Sequence, residues 1–453
     1  MLTAHRVRTS LVIGAASATV LAALLLSGQP PTAALPDLVS SGDDGMKLTA
    51  QLTTTRILAG AHDHHLAVAI TAPRGTHRAR PPLSVAVVID RSGSMSGEPM
   101  QNAKEAASRL IGQLDAADAF TVVTYSTSDE IVMPMSRATD SNKAAARAAI
   151  SRIYDDGGTC ISCGLIRGAN ELAQTPLTDG VRRIVLISDG QANAGIYDRG
   201  ELAQLAANTA STGVSISAVG VGLDFDEVTM QRIAEVGRGN YHFVENTADL
   251  SALFHRELGQ LADTIATDAR LVIEQPSGVR IEEAYGHPMS REGNAIVIPI
   301  ADLRAGETRK VVLRVTIAQA EIGAFDVSTV RLGWRRVSDG RPRTAVTSVR
   351  AEIVDDARAV AASAVPAASQ ATEEALSARA LEEATVVYET QGYEAAKRVL
   401  DQRVQAARKN VHVGTGSMQR IEAASGDAIE SFRAAPASKA MKVGRSKAYE
   451  LAR

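Results

Sequence analysis

Between about residues 82 and 260 the chain alternates short apolar runs with longer amphipathic stretches. LSVAVVID, FTVVTY from Phe120, RIVLIS from Arg183 and VSISAVGVG from Val214 are nearly continuous β-branched runs, as strands buried on both faces require. After the first run Ala103, Ala106, Ala107, Leu110, Ile111 and Leu114 fall on one helical face. The spacing predicts further helices near Ser141 to Ile153, after Cys163, near Glu201 to Ser211, near Asp226 to Val236 and from Asp249, with a short strand at NYHFV. Such alternation predicts an α/β fold, a doubly wound and mostly parallel sheet covered by helices on both faces.

On either side the period changes to two. MKLTAQLTTTRILAG and HHLAVAITAP come before the α/β unit, and DARLVIEQ, NAIVIPIADL, RKVVLRVTIA and TAVTSVRAEIV come after it. Polar turns separate these runs, which therefore read as antiparallel strands. Their placement predicts one β-sandwich built from residues 47–80 and 265–354, into which the α/β domain, residues 82–261, is inserted. Residues 359–434 are rich in Ala, Glu and Arg and read as helical, one helix running through EEALSARALEEATVVYETQGYEAAKRVLDQRVQAAR and a second near Gln419 to Arg433. The basic, weakly periodic end, residues 435–453, reads as a solvated tail, a docking arm being the alternative.

A chain of 453 residues, 45% hydrophobic and 22% charged, holds two or three domains, and its net charge of −3 argues against general binding of nucleic acid or anionic membranes. The N-terminus adds an address. His5, Arg6 and Arg8 precede the apolar stretch Leu11 to Leu26, and Thr32 and Ala34 are small, so residues 1–34 have the layout of a secretory signal peptide. A spanning helix needs about 20 residues, which leaves a retained N-terminal anchor as second choice and as the one expected membrane contact. Either way the protein is expected to be exported: periplasmic, cell-surface or secreted.

Candidate chemistry gathers where strands end. Asp90, Ser92 and Ser94 put three oxygen side chains within VIDRSGSM, just past a buried run; Thr159 follows paired glycines in DDGGTCISCGL; Asp189 closes RIVLISDG. Ligands of parallel sheets bind at the carboxyl ends of strands, and these five residues would share one rim. Hard oxygen donors without His or Cys select Mg²⁺, with Ca²⁺ or Mn²⁺ as looser fits. Only two of the five carry charge, so a bound cation would keep an affinity for an anion.

This pattern of D-x-S-x-S, then T, then D resembles the von Willebrand factor type A (VWA) domain and its metal-ion-dependent adhesion site (MIDAS). The likeness continues through VGVGLDFDEVTMQRIAEVGRGNYHFVENTADLSALFHREL. The resemblance implies that Ser92, Ser94 and Thr159 contact the metal, that Asp90 and Asp189 act directly or through water, and that a partner protein's carboxylate completes the octahedron. It further implies divalent-cation-dependent protein binding, in adhesion or envelope assembly. In general layout the chain is similar to bacterial relatives of inter-alpha-trypsin inhibitor heavy chains and of calcium-activated chloride channel regulators.

Cys160 and Cys163, the only cysteines, stand in C-x-x-C spacing beside Thr159. In an exported protein a local disulfide is the first expectation, with a free buried pair and a catalytic couple as alternatives. His62, His64 and His65 read as solvated residues of a strand-connecting turn, metal binding being the alternative. Enzyme readings lack support: Ser92 or Ser94 as a nucleophile would need an activating His, and the candidates His242 and His255 fall on a distal strand and a late helix. The expectation is therefore a non-enzyme, the alternatives being a redox-sensitive structural protein with a fold-stabilising metal and a hydrolase with an unrecognised site.

Overall fold

The structure, a computed structural model, describes residues 40–41, 44–74, 80–175, 180–246 and 249–452; the segment read as a signal lies outside them. Among the described residues the first elements are β1 (Ser40–Ser41), β2 (Lys47–Leu52), β3 (Arg56–Leu58) and β4 (Gly60–Thr71). His62, His64 and His65 belong to β4, paired along β16 below, so the turn expected for them is absent.

The α/β domain follows as β5 (Leu83–Asp90), α1 (Glu98–Gln113), β6 (Ala119–Tyr125), β7 (Asp129–Arg137), α2 (Asp140–Ile150), α3 (Ile161–Ala173), β8 (Val181–Ser188), α4 (Arg199–Ser211), β9 (Val214–Val221), α5 (Glu227–Val236), β10 (Arg238–Val244) and α6 (Leu250–Ala262). Side chains of Thr139, Asp198 and Asp226 accept backbone N–H bonds at the starts of α2, α4 and α5, the local reason these helices begin where they do. The sheet order is β10-β9-β8-β5-β6-β7, with β7 antiparallel to β6 and the other pairings parallel. The edge strand β7 is absent from the sequence reading. It contains Pro134, which lacks a ladder N–H, and an edge tolerates that.

Every residue of β5 is buried, and alternate side chains divide between the two faces. Val85, Val87 and Ile89 pack with Leu110 of α1, Ile150 of α2 and Phe254 of α6. Ala86 and Val88 pack with Leu165 of α3, Leu202 of α4 and Ile233 of α5. Burying each such Val, Leu or Ile stabilises the fold by about 1.5–3 kcal/mol relative to exposure.

The chain then returns to the flanking strands through β11 (Thr264–Glu274), β12 (Val279–Ala284), β13 (Ser290–Glu292), β14 (Ala295–Pro299), β15 (Leu303–Arg304), β16 (Thr308–Gln319), β17 (Gly323–Arg336) and β18 (Pro342–Val354). One sheet runs β1-β2-β4-β16-β12 and the other β13-β14-β11-β17-β18-β3, with β15 beside β11. Leu66, Val68 and Ile70 of β4 meet Leu271, Ile273, Val330 and Leu332 in a single core between the two sheets. The α/β domain is thus an insertion within a sandwich.

After the sandwich the described residues continue as helices α7 (Ala357–Ala361), α8 (Pro366–Gln391), α9 (Tyr393–Lys409), α10 (Thr415–Ala434) and α11 (Ala437–Ala452). The continuous helix expected through 373–408 is two, because Gly392 stands at φ +81° and ends α8. No helix among the described residues is long and apolar enough to cross a membrane.

The solvated tail expected at 435–453 is overturned. Residues 437–452 form α11, which packs on α8 and reaches the α/β domain. Lys442 is 2% exposed, donates to the Phe225 carbonyl at 2.7 Å and to Glu227 at 2.8 Å, and lies 3.7 Å from the centre of the Phe225 ring. The Tyr449 hydroxyl accepts the N–H of Tyr241 at 3.0 Å. A buried face made of Ala440, Lys442, Gly444, Ala448 and Tyr449, small residues beside a lysine and a tyrosine, carries little apolar signal, which is why the pattern reads as solvated. Lys442→Ala removes two bonds to a charged donor, worth about 1.5–3 kcal/mol each. Hydrogen exchange across 437–452 is expected to accelerate while exchange in β5 and β8 stays as in the wild type; unchanged protection of α11 would contradict this docking.

Candidate metal centre

The connection leaving β5 runs to β6 on one side, whereas β8 lies on the other side and leads outward to β9 and β10. The carboxyl ends of β5 and β8 therefore bound a crevice at the point where the strand order reverses. Asp90 ends β5 and Asp189 directly follows β8, and the last residues paired between these two strands are Ile89 and Ile187.

All five predicted residues come together in this crevice. Asp90 is fully buried; its Oδ1 accepts the Ser92 N–H at 2.8 Å and its Oδ2 the Ser188 hydroxyl at 2.7 Å. Residues Gly93–Met95 form a single 3₁₀ turn, which brings the hydroxyls of Ser92 and Ser94 within 3.1 Å of each other. Ser94 in turn donates to Asp189 Oδ1 at 2.7 Å. Thr159 arrives from the turn before α3: a Cβ placed on Gly190 would lie 3.2 Å from Thr159 Oγ1 and 3.4 Å from Ser94 Oγ, so the absence of a side chain there keeps the cradle open.

The electrostatics fit a cation. Burial pushes the Asp90 carboxyl up despite its hydrogen bonds. Asp189 is raised to about 6 by burial, against the Ser94 bond and with the charge of Asp90 adding to the rise. Two carboxyls, the charge of Asp90 opposing ionisation of Asp189, with three hydroxyls beside them, suit one hard divalent ion. Asp90, Ser92, Ser94, Thr159 and Asp189 would hold it, and the ion would supply a Lewis-acid position for an anionic ligand.

The sequence reading missed the residues that hold this set in place. Ser188 bonds Asp90, and Asn193 Oδ1 accepts the Thr159 N–H at 2.7 Å. The charge of Asp224 also raises Asp189. Asp224 lies just past β9, an acid at a third strand end, and that was a readable signal. Cys160 and Cys163 are bonded to each other in this structure, and Cys160 rather than Cys163 marks the start of α3. The two histidines weighed as general bases are engaged away from the crevice, His242 on Glu257 at 2.7 Å and His255 on Gln113 at 2.8 Å.

A family model for the von Willebrand factor type A domain matches residues 84–256. An uncharacterized protein of Synechocystis sp. is 26% identical over 306 residues, which cover 65% of this chain and 72% of that protein. The uncharacterized Escherichia coli protein YfbK is 31% identical over 196 residues, 43% of this chain, and the chain spans only 34% of its length. An Arabidopsis thaliana relative named E3 ubiquitin-protein ligase WAV3 is 26% identical over 259 residues, 56% of this chain and 33% of that protein. Among solved structures, a von Willebrand factor type A protein from Catenulispora acidiphila superimposes with a TM-score of 0.69 at 18% identity, covering 92% of this chain and 98% of its own. The ArnB paralog VWA2 from Sulfolobus acidocaldarius gives 0.60 at 13% identity, covering 90% and 99%. These two likenesses are of fold.

Residues 84–256 are thus a von Willebrand factor type A domain, carried within a sandwich and followed by helices. Domains of this class are mostly protein-interaction modules without enzymatic activity.

Proposed function

We propose that the chain is an exported adhesion or envelope-assembly protein that captures a protein partner through a divalent cation, Mg²⁺ before Ca²⁺ or Mn²⁺, at Asp90, Ser92, Ser94, Thr159 and Asp189. The observation that carries the reading is the convergence of two carboxyls and three hydroxyls at the carboxyl ends of two neighbouring strands. Five side chains leave at least one position of an octahedral ion unfilled, and a carboxylate from the partner would fill it. Export is supported by the N-terminal pattern and by a disulfide, a bond rare in cytosolic proteins.

The rim itself suits a protein partner. Tyr154 is 64% exposed and Tyr197 68% exposed. Tyr154 sits under the Arg91 guanidinium at 5.3 Å, in the segment whose Asp156 N–H bonds the Arg91 carbonyl. Tyr197 follows Ile196, whose N–H bonds Ser162 beside Thr159. Exposed tyrosines, and the arginine that covers Tyr154, are the residue types that dominate binding energy at interfaces.

The experiment is a capture from an envelope extract on immobilised wild type, Asp90→Ala and the double variant Tyr154→Ala/Tyr197→Ala, in Mg²⁺ and in chelator, with bound proteins quantified. The wild type is expected to retain partners in Mg²⁺ alone and Asp90→Ala to retain none. A loss of about 2 kcal/mol at the tyrosines corresponds to roughly thirtyfold weaker retention by the double variant. Partners held equally in chelator and by Asp90→Ala would sink the reading.

A further inference from the structure

The cystine adjoins both the turn that carries Thr159 and the loop that follows Asp189. Thr159 immediately precedes Cys160, which is fully buried and whose N–H bonds the Ser126 carbonyl at 2.7 Å. The loop that follows Asp189 is laid across the same turn. Asn193 N–H bonds the Thr159 carbonyl at 3.0 Å, its Oδ1 accepts the Thr159 N–H, and Ile196 N–H bonds Ser162 at 2.9 Å. Between these ties Gly195, at φ +64°, rests on the sulfurs: a Cβ there would collide with Cys160 Sγ and lie 3.6 Å from Cys163 Sγ. The loop carrying Asp189 and the turn carrying Thr159 thus share one covalent floor with no slack above it.

We propose, resting on the metal reading above, that the Cys160–Cys163 disulfide is a thiol-exchange site through which a dithiol reductant lowers the cation affinity of the centre. Cys163 is half-buried and Cys160 fully buried, so the entering thiolate attacks Cys163 Sγ. The S–S bond breaks and its electron pair leaves on Cys160 Sγ. That sulfur stands at the N-terminus of α3, where it accepts the Cys163 N–H at 3.2 Å, an arrangement that stabilises a leaving thiolate. The reductant's second thiolate then attacks its own sulfur in the mixed disulfide. Two electrons have passed to the protein, which becomes the dithiol after taking up protons, and the reductant leaves as a disulfide. The protein's sulfurs move from bonding to van der Waals separation, and with Gly195 pressed on them either the loop after Asp189 or the Thr159 turn must shift.

The test titrates Mn²⁺ into the full chain, followed by the EPR signal of free Mn²⁺, before and after dithiothreitol, with alkylation and mass measurement to count thiols. Supporting groups around metal ligands are worth about 10–100-fold in affinity, so reduction is expected to weaken Mn²⁺ binding at least tenfold and reoxidation to restore it. Cys160→Ser/Cys163→Ser should bind weakly from the start and ignore dithiothreitol; Gly195→Ala, with both cysteines kept, should also bind more weakly. Unfolding midpoints in chelator should stay within a few degrees of each other across these states. Equal Mn²⁺ affinity in protein shown to carry two free thiols would overturn the exchange site while leaving the metal reading intact. Failure of the oxidised wild type to bind Mn²⁺ would overturn both, and a fall in affinity that accompanies loss of the fold would assign the cystine a purely structural role.

Discussion

In Mg²⁺ at a hundredfold its Kd, the wild-type protein is expected to gain about 2.7 kcal/mol against unfolding relative to chelator, and Asp90→Ala to gain nothing. Without metal the two proteins should differ little. Asp90→Ala leaves the Ser92 N–H and Ser188 hydroxyl without their acceptor, a cost of about 1–3 kcal/mol, but it also removes a buried charge that opposes the ionisation of Asp189. Thermal unfolding of both proteins with Mg²⁺ and with chelator makes the comparison. A metal that only held the fold together would instead leave the chelated wild type grossly destabilised. The same carboxyls give the response a pH dependence. The folded, metal-free state raises Asp189 to about 6, so it binds a proton more tightly than the unfolded chain does. Protonation therefore stabilises the metal-free fold as pH falls through about 6, and the proton competes with the cation over the same window. The Mg²⁺-dependent gain should shrink below that pH.

Arg183→Met is expected to cost about 3–5 kcal/mol, the usual result of leaving buried charge without its partner. Arg183 lies on β8, 3% exposed, and donates to Asp302 at 2.8 Å and to Ser217 at 2.6 Å. Asp302, from the segment between β14 and β15, also accepts the Ser215 hydroxyl at 2.8 Å. Glu257 on α6 is 3.9 Å from the same guanidinium and accepts from Ser217, Asn240 and His242. Burial would raise the Glu257 carboxyl, yet His242 and Arg183 outweigh it and hold it at about 2. The network ties β8, α6 and β10 to the sandwich segment that carries Asp302. Because the folded Glu257 is depressed below its ordinary value, its contribution is complete above about pH 4.5 and is lost as pH falls towards 2. Urea unfolding should show the lower midpoint, and Arg183→Met/Asp302→Asn/Glu257→Gln, which removes the stranded charges, should recover part of it. A single variant as stable as the wild type would mean that the network holds nothing.

The elements legible in the sequence are those whose environment is uniform along the strand or helix. β5 and β8 are buried on both faces and read as apolar runs, and α1 shows its buried stripe at helical spacing. The site was legible for a related reason: its donors sit at the ends of those runs, so locating the strands located Asp90 and Asp189. What stayed hidden depends on neighbours distant in sequence. Arg183 looked like an ordinary polar residue at the start of a strand, and only the approach of Asp302 and Glu257 makes it a buried cation. Lys442 is buried because Phe225 and Glu227 receive it, which no local periodicity encodes. β7 owes its place to the open edge of β6 rather than to an alternating pattern of its own.

The most direct test of the metal centre is anomalous diffraction from crystals of the full chain grown with Mn²⁺. One anomalous peak is expected between the ends of β5 and β8, with the hydroxyls of Ser92 and Ser94 turned onto it, Thr159 beside it and Asp90 and Asp189 within its coordination or hydration shell. Crystals whose Mn²⁺ lies elsewhere, with Ser94 still donating to Asp189 and no peak in the crevice, would contradict it.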